Sequence, residues 1–234
     1  MDLLLNRRRM LMAQGGEPEP QYITDGLIFR VDGKLAQGGT VKELVNDVTF
    51  SANSSANISF HDNAIDLNGG SFVSTNAAVL LDSNANYTIE VCFSPSAMSA
   101  NGVIFISGAN ASGTYYPMVI LTTGGGLTFA GRAGAGYVAG VTVGSKNTVS
   151  MNQARGIKNG TAMTTTSAIY LANSARTIIG ARRNSTTYNS QFYGKIYAIR
   201  VYSRQLTEYE MKYNQWVDDQ RFGLGLGLVE PTNA

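Results

Sequence analysis

The feature that most constrains this chain is a period-two alternation that recurs in short runs between residues 27 and 202. "GLIFRVDG" sets Leu27, Phe29 and Val31 against Ile28, Arg30 and Asp32. "YTIEVCF" sets Tyr87, Ile89, Val91 and Phe93 against Thr88, Glu90 and Cys92. "YAIRVYS" sets Tyr197, Ile199 and Val201 against Ala198, Arg200 and Tyr202. Successive side chains of an extended backbone point to opposite faces, so each run predicts a strand with one face in a core. Shorter apolar runs, "VIFIS", "PMVILTT", "GLTFAG" and "RTIIGA", are bounded by Gly or Asn turns. Strands so closely spaced, with no helical period between them, predict an all-β antiparallel sandwich or jelly roll.

The composition agrees where it bears on this. Gly is plentiful at 26 and charged residues are only 15%, a balance common in sandwiches rich in tight turns. With 234 residues, 44% of them hydrophobic, the chain can bury a core without staples. A net charge of +2 provides no overall basic field, so no nucleic-acid partner is expected. The single cysteine, Cys92, excludes an intramolecular disulfide framework. No apolar run approaches the ~20 residues that span a bilayer, so no membrane partner is expected either.

The period changes at the end. In "RQLTEYEMKYNQWVDDQRFG", Thr207 and Glu210 form a capping box, and Leu206 with Met211 fits a hydrophobic staple. Tyr209, Tyr213 and Trp216 fall on one helical face, expected to seal an end of the sandwich, and Gly223 stops the helix. Residues 224–234, "LGLGLVEPTNA", lack a helical pattern and read as an extended tail.

The opening "MDLLLNRRRMLMAQGG" has its apolar part split by Arg7, Arg8 and Arg9, and neither piece is an h-region of ~7–15 residues. It is therefore not expected to be a signal peptide. Asp2 can cap a short helix over 3–13, stopped by Gly15 and Gly16, and "EPEP" favours an extended spacer. A helix of about eleven residues is marginal alone in water. The arm, residues 1–20, with its Arg7, Arg8 and Arg9, is accordingly expected to dock on another protein subunit in an oligomeric assembly, as is the tail.

Few residues offer chemistry. His61 sits alone in the turn-like "SFHDN", with no G-x-S-x-G sequence anywhere, so a catalytic triad is not expected. One His and one Cys make zinc unexpected, and Cys92 reads as a part-buried thiol. "DSNAN" opens like a calcium loop, but Tyr87 replaces the required Gly and the Glu at the twelfth position is missing. No cofactor is expected, although carboxylates such as Asp32, Asp62 or Asp66 leave calcium open. Arg30, Glu90 and Arg200 occupy polar-side positions and would form a cross-strand charge ladder if their strands are neighbours; a ligand-facing polar row is the alternative. The candidate ligand-binding set is Tyr115, Tyr116, Tyr137 and Tyr188 with Arg132, Arg182, Arg183 and Asn184. Aromatic faces stack on sugar rings, and Arg or Asn can hydrogen-bond hydroxyls.

The order of elements carries a resemblance. "NAIDLNGGSFVST", "YTIEVCFSPS", "RGIKNGTAM" around its Asn-Gly turn, "RTIIGARRN" and "FYGKIYAIRVYSRQLTEYEMKYN" together resemble LamG-like, concanavalin A-like domains. With the "RRRMLMA" arm, the chain resembles such proteins of gut bacteria and their phages. The resemblance implies a two-sheet jelly roll over 21–223, flanked by the N-terminal helical arm and closed by one C-terminal helix. It implies a concave face that often binds carbohydrate, sometimes with calcium. Family glucanases carry an E-x-D-x-x-E strand that places two carboxylates on one face. The chain lacks it, so a non-enzymatic member is expected. The expected function is a structural, decoration or adhesion subunit of a phage virion, made in the bacterial cytoplasm, with a face available for glycans. A free-standing carbohydrate-binding module at the bacterial surface is the alternative, ahead of a glycoside hydrolase.

Overall fold

The computed structural model describes residues 19–36, 40–53, 57–74, 87–107, 118–130, 135–152, 154–165, 177–184 and 187–232. The expected helical arm lies outside them, apart from Glu19 and Pro20. In chain order the strands are β1 (Leu27–Asp32), β2 (Thr40–Lys42), β3 (Thr49–Ala52), β4 (Ile58–His61), β5 (Ala64–Asn68) and β6 (Phe72–Ser74). The central group is β7 (Thr88–Pro95), β8 (Gly102–Ser107), β9 (Met118–Leu121), β10 (Leu127–Ala130), β11 (Ala135–Val138) and β12 (Asn147–Asn152). There follow β13 (Gly156–Lys158), β14 (Thr161–Thr165), β15 (Thr177–Ile179), β16 (Arg182–Asn184), β17 (Thr187–Asn189), β18 (Tyr193–Tyr202) and the helix α1 (Glu208–Phe222).

All named strand pairs are antiparallel, and the fold is the expected two-sheet jelly-roll sandwich. One layer runs β4-β5-β18-β7-β12-β13, with β1 on the outer end of β18; the other runs β2-β3-β6-β15-β8-β9-β10-β11. Strand β14 links them, because Met163 pairs with Gly156 of one layer while Thr165 pairs with Tyr137 of the other. The core lies between the layers. Phe29 of β1 packs on Phe105 of β8 at 5.4 Å and on Phe50 of β3 at 6.0 Å, and Phe60 of β4 meets Phe72 of β6 at 6.2 Å.

Two bulges modify the alternation read from sequence. A register shift between Leu27 and Phe29 turns Leu27 outward, beside Tyr202, Leu206 and Met211, and leaves Ile28 against the core. A second, between Ile196 and Ala198, puts Tyr197 and Ala198 on the same outer side. An extra residue in one strand breaks the two-residue period, which a strict alternation cannot show. At the start of β18, Gly194 has φ 138° and lies so close to β7 that a Cβ would meet the Ser94 carbonyl at 2.2 Å.

Strand β7 was expected to be half-buried; it and its neighbour β12 are buried on both faces. The reason is α1, which lies across the outer face of their sheet. Its cap forms as the sequence predicts: Thr207 accepts from the Glu210 N–H, the Glu210 side chain returns to the Thr207 N–H, and Gly223 ends the helix at φ 59°. Leu206 and Met211 share a buried cluster, as a staple requires. The face that packs is the other one. Met211, Asn214, Gln215 and Asp218 are buried against the sheet, whereas Tyr209, Tyr213 and Trp216 are only half-buried. The middle of the sheet's outer face is polar, with Thr88, Glu90, Thr148, Ser150 and Arg200, so the helical positions that meet it, Asn214, Gln215 and Asp218, are polar too.

Candidate functional site

The charge ladder is present. Arg30 pairs with Arg200 across β1 and β18, Arg200 with Glu90 across β18 and β7, and Glu90 with Ser150 across β7 and β12. Arg200 donates from Nε to Glu90 Oε2 at 2.7 Å and grips both Asp218 oxygens, at 2.7 and 2.8 Å. Every remaining acceptor is filled. Tyr22 and Thr148 hydroxyls donate to Asp218, the Ser150 hydroxyl and the Asn214 amide donate to Glu90, and Gln215 donates to Ser150 Oγ. The Tyr22 ring covers the Arg200 guanidinium at 4.0 Å, a cation–π contact that also softens the Arg30–Arg200 juxtaposition.

Arg200, Glu90 and Asp218 are all 0% exposed, so the ladder is a structural bolt between sheet and helix rather than a ligand-facing row. Burial pushes the Glu90 carboxyl above its ordinary range, against the lowering pull of Arg200. Burial works against the charge on Arg200, but Asp218 and Glu90 more than offset it and hold its pKa above the ordinary value. Cys92 is buried, with its thiol pushed up by desolvation and by Asp218.

The candidate binding residues divide. Tyr137 is corrected: it is 3% exposed in the core and its hydroxyl donates to the Asn152 carbonyl at 2.8 Å, so it offers no ring to a ligand. It lies within β11, between β10 and β14, and belongs to the core cluster, where the sequence reading set it in or beside a loop. Arg182, Arg183, Asn184 and Tyr188 come together on the β16–β17 hairpin, where Arg183 is the register partner of Tyr188 and Arg182 of Asn189. Arg182 is half-buried. Tyr115, Tyr116, Arg132 and the arm residues Arg7, Arg8 and Arg9 lie outside the described residues. The carboxylates considered for calcium are each engaged by cations or by His61: Asp32 by Arg30 and Arg221, Asp62 by Lys195 and His61, and Asp66 by His61 Nε2.

The tail is tied to its own domain through Leu228. Asp219 accepts from the Leu226 and Leu228 N–H groups, both at 2.9 Å, and Leu224 is buried with Cys92, Tyr197 and Phe222. The last turn of the tail, the Asn159–Gly160 turn and α1 enclose a groove of about 300 Å³ lined by Asn159, Gly160, Thr161, Lys212, Leu228 and Pro231 among others. Gly160 N–H donates to Gln215 Oε1 at 2.8 Å, which fixes the turn to the helix. Asn159 at φ 48° and Gly160 at φ 77° make the tight two-residue hairpin read from "KNGT". The sequence pointed to that turn, but not to the groove beside it, because Lys212 and Leu228 are brought there only by packing.

No protein-family model matches the chain, and no curated protein matches it. Solved structures do. Trypanosoma rangeli sialidase in complex with sialic acid matches with a TM-score of 0.62 at 14% identity, over 84% of this chain and 33% of that one. Domain 4 of AbnA, a GH43 extracellular arabinanase from Geobacillus stearothermophilus, in complex with arabinotriose, matches at 0.59 and 14% identity, over 79% of this chain and 96% of that one. The binding domain of Paraclostridial Mosquitocidal Protein 1 matches at 0.59 and 13% identity, over 84% and 52%. The chain thus spans about a third of the sialidase chains it matches. The likeness shows the fold, a β-sandwich. It also corrects one expectation. The reading of the chain as non-enzymatic is overturned by the sialidases among these structures, since the sandwich occurs within enzyme chains. The missing glucanase strand does not bear on chemistry of another kind.

Proposed function

We propose that this chain is a carbohydrate-binding jelly roll of the LamG-like kind that serves adhesion. The observation that carries the reading is the match to an arabinanase domain over 96% of that domain's length, in a structure holding arabinotriose. The alignment takes in nearly the whole of that domain. A rigid two-layer scaffold, held by a dry charge network on one side, suits the display of fixed polar and aromatic groups to a sugar. Membership of a larger assembly, including the virion expected from the arm, is part of the proposal and is tested by co-purification with assembled particles.

Binding is tested by presenting the full chain to a broad glycan array and titrating the hits by calorimetry. Saturable binding of an arabino-oligosaccharide or a sialylated glycan is the expected result. An array with no saturable hit would sink the reading.

A further inference from the structure

The chain contains three Asn-Gly pairs, Asn68–Gly69, Asn101–Gly102 and Asn159–Gly160. Such a pair carries its own reaction. The main-chain nitrogen of the glycine is unhindered, because that residue has no Cβ, and it can attack the asparagine Cγ. A succinimide ring forms, the Cγ–Nδ2 bond breaks, and ammonia leaves with the proton that the glycine nitrogen gives up. Water then opens the ring at one carbonyl to give aspartate, or at the other to give isoaspartate, whose main chain is one carbon longer.

The three pairs are alike as sequence, but the fold treats them differently. At Asn159–Gly160 both reacting groups are held. Asn159 Oδ1 accepts from the Thr148 N–H at 2.9 Å, and the nucleophile, Gly160 N–H, donates to Gln215 Oε1 at 2.8 Å. Gln215 is itself pinned: it is fully buried in α1 and donates to the Ile157 carbonyl at 2.8 Å and to Ser150 Oγ at 3.0 Å. Ring closure has to break these bonds, because the glycine nitrogen must lose its proton and Cγ must swing toward it. At Asn101–Gly102 the hold is partial. Asn101 Oδ1 accepts from the Thr123 N–H at 3.2 Å, and Gly102 is buried at the start of β8, opposite Leu121. At Asn68–Gly69 nothing comparable is present. Asn68 is exposed and forms the last register pair of β5 with β18, opposite Tyr193. Among the described residues neither its side-chain amide nor the Gly69 N–H has a hydrogen-bond partner.

We propose that Asn68 is a site of spontaneous deamidation in the folded protein, and that α1, through Gln215, shields Asn159 from the same reaction. The product carboxylate stands on the same face of β5 as Asp66, diagonal to Lys195 of β18. The isoaspartate product lengthens the main chain at the last register pair of these two strands.

The full chain is aged in mildly alkaline buffer, digested, and mapped by mass spectrometry for the mass gain of amide-to-acid exchange at each pair. The expected result is conversion at Asn68 first, at Asn101 more slowly, and at Asn159 least. In urea, where the fold no longer distinguishes them, the three should convert at rates close to one another. Gln215→Leu should speed conversion at Asn159 in the folded chain about fivefold, the factor that one neutral hydrogen bond is worth. Thr207→Ala weakens the helix cap without touching Gly160, and should leave the Asn159 rate unchanged.

Conversion at Asn159 as fast as at Asn68 in the folded parent would overturn the proposal, as would an Asn68 that stays intact while the urea-treated chain reacts; this comparison needs no variant to fold. Equal acceleration of Asn159 by Thr207→Ala and by Gln215→Leu would overturn the role of Gln215 and assign the shielding to the stability of α1 as a whole.

Discussion

Arg200 is the residue on which the closing helix depends. It sits between Glu90 and Asp218 with no exposure to water, so the buried trio carries more carboxylate than guanidinium. Replacing Arg200 by Met leaves both carboxylates buried without their cation, a change that costs about 3–5 kcal/mol. Glu90→Gln should be far milder, since the bidentate Arg200–Asp218 pair survives and the Ser150 hydroxyl can turn to accept. The two variants also differ in pH behaviour. Burial raises the folded pKa of Glu90. A carboxylate raised on folding contributes stability that is fully present below its unfolded pKa and fades as pH rises through the folded value. Glu90→Gln should remove that component. Urea denaturation of parent and variants across pH measures both effects, and an Arg200→Met protein as stable as the parent would contradict the assignment.

The element α1 is specified twice, by its ends and by its face. At the N-terminal end, Arg204 grips Glu210 with two nitrogens, at 2.9 and 2.6 Å, and the Thr207 N–H donates to it at 2.8 Å. Hydrogen bonding from Arg204, with help from Thr207, outweighs burial and lowers the Glu210 pKa from 4.5 to about 2. The sign is opposite to that of Glu90: a depressed carboxylate contributes stability above its unfolded pKa and loses it as pH falls through the folded one. Thermal melts should therefore show a loss between about pH 4.5 and 2 that is absent in Glu210→Gln. Thr207→Ala should cost about 1 kcal/mol at neutral pH through loss of the cap. A Glu210→Gln protein with the parent's acid slope would show that the cap does not carry it.

At the scale of the molecule, the sheet's outer face is closed in sequence by Tyr22, by α1 and by the tail. Asp219 holds the tail, and the tail with Phe222 covers Cys92. A buried thiol with a raised pKa is unreactive. Asp219→Ala should release the tail and speed labelling of Cys92 by a disulfide reagent about tenfold or more under native conditions; an unchanged rate would show that the layer stays closed without it. Much of this architecture was legible in the chain. The β alternation, the Thr207–Glu210 box, the Leu206–Met211 staple, the Asn159–Gly160 turn and the Gly223 stop are local signals, decided by backbone geometry within a few residues. The Arg30, Glu90 and Arg200 row was readable as well, as a ladder conditional on strand order. What the sequence could not decide is which surface each face meets. The bulges that move Leu27 and Tyr197 outward, the burial of Tyr137, the polar inner face of α1 and the groove between Thr161, Lys212 and Leu228 all depend on contacts between segments far apart in the chain. Periodicity determines that a strand or helix has two faces. Only packing between elements chooses the one that meets water, because the free energy that chooses belongs to the pair of surfaces and not to either segment alone.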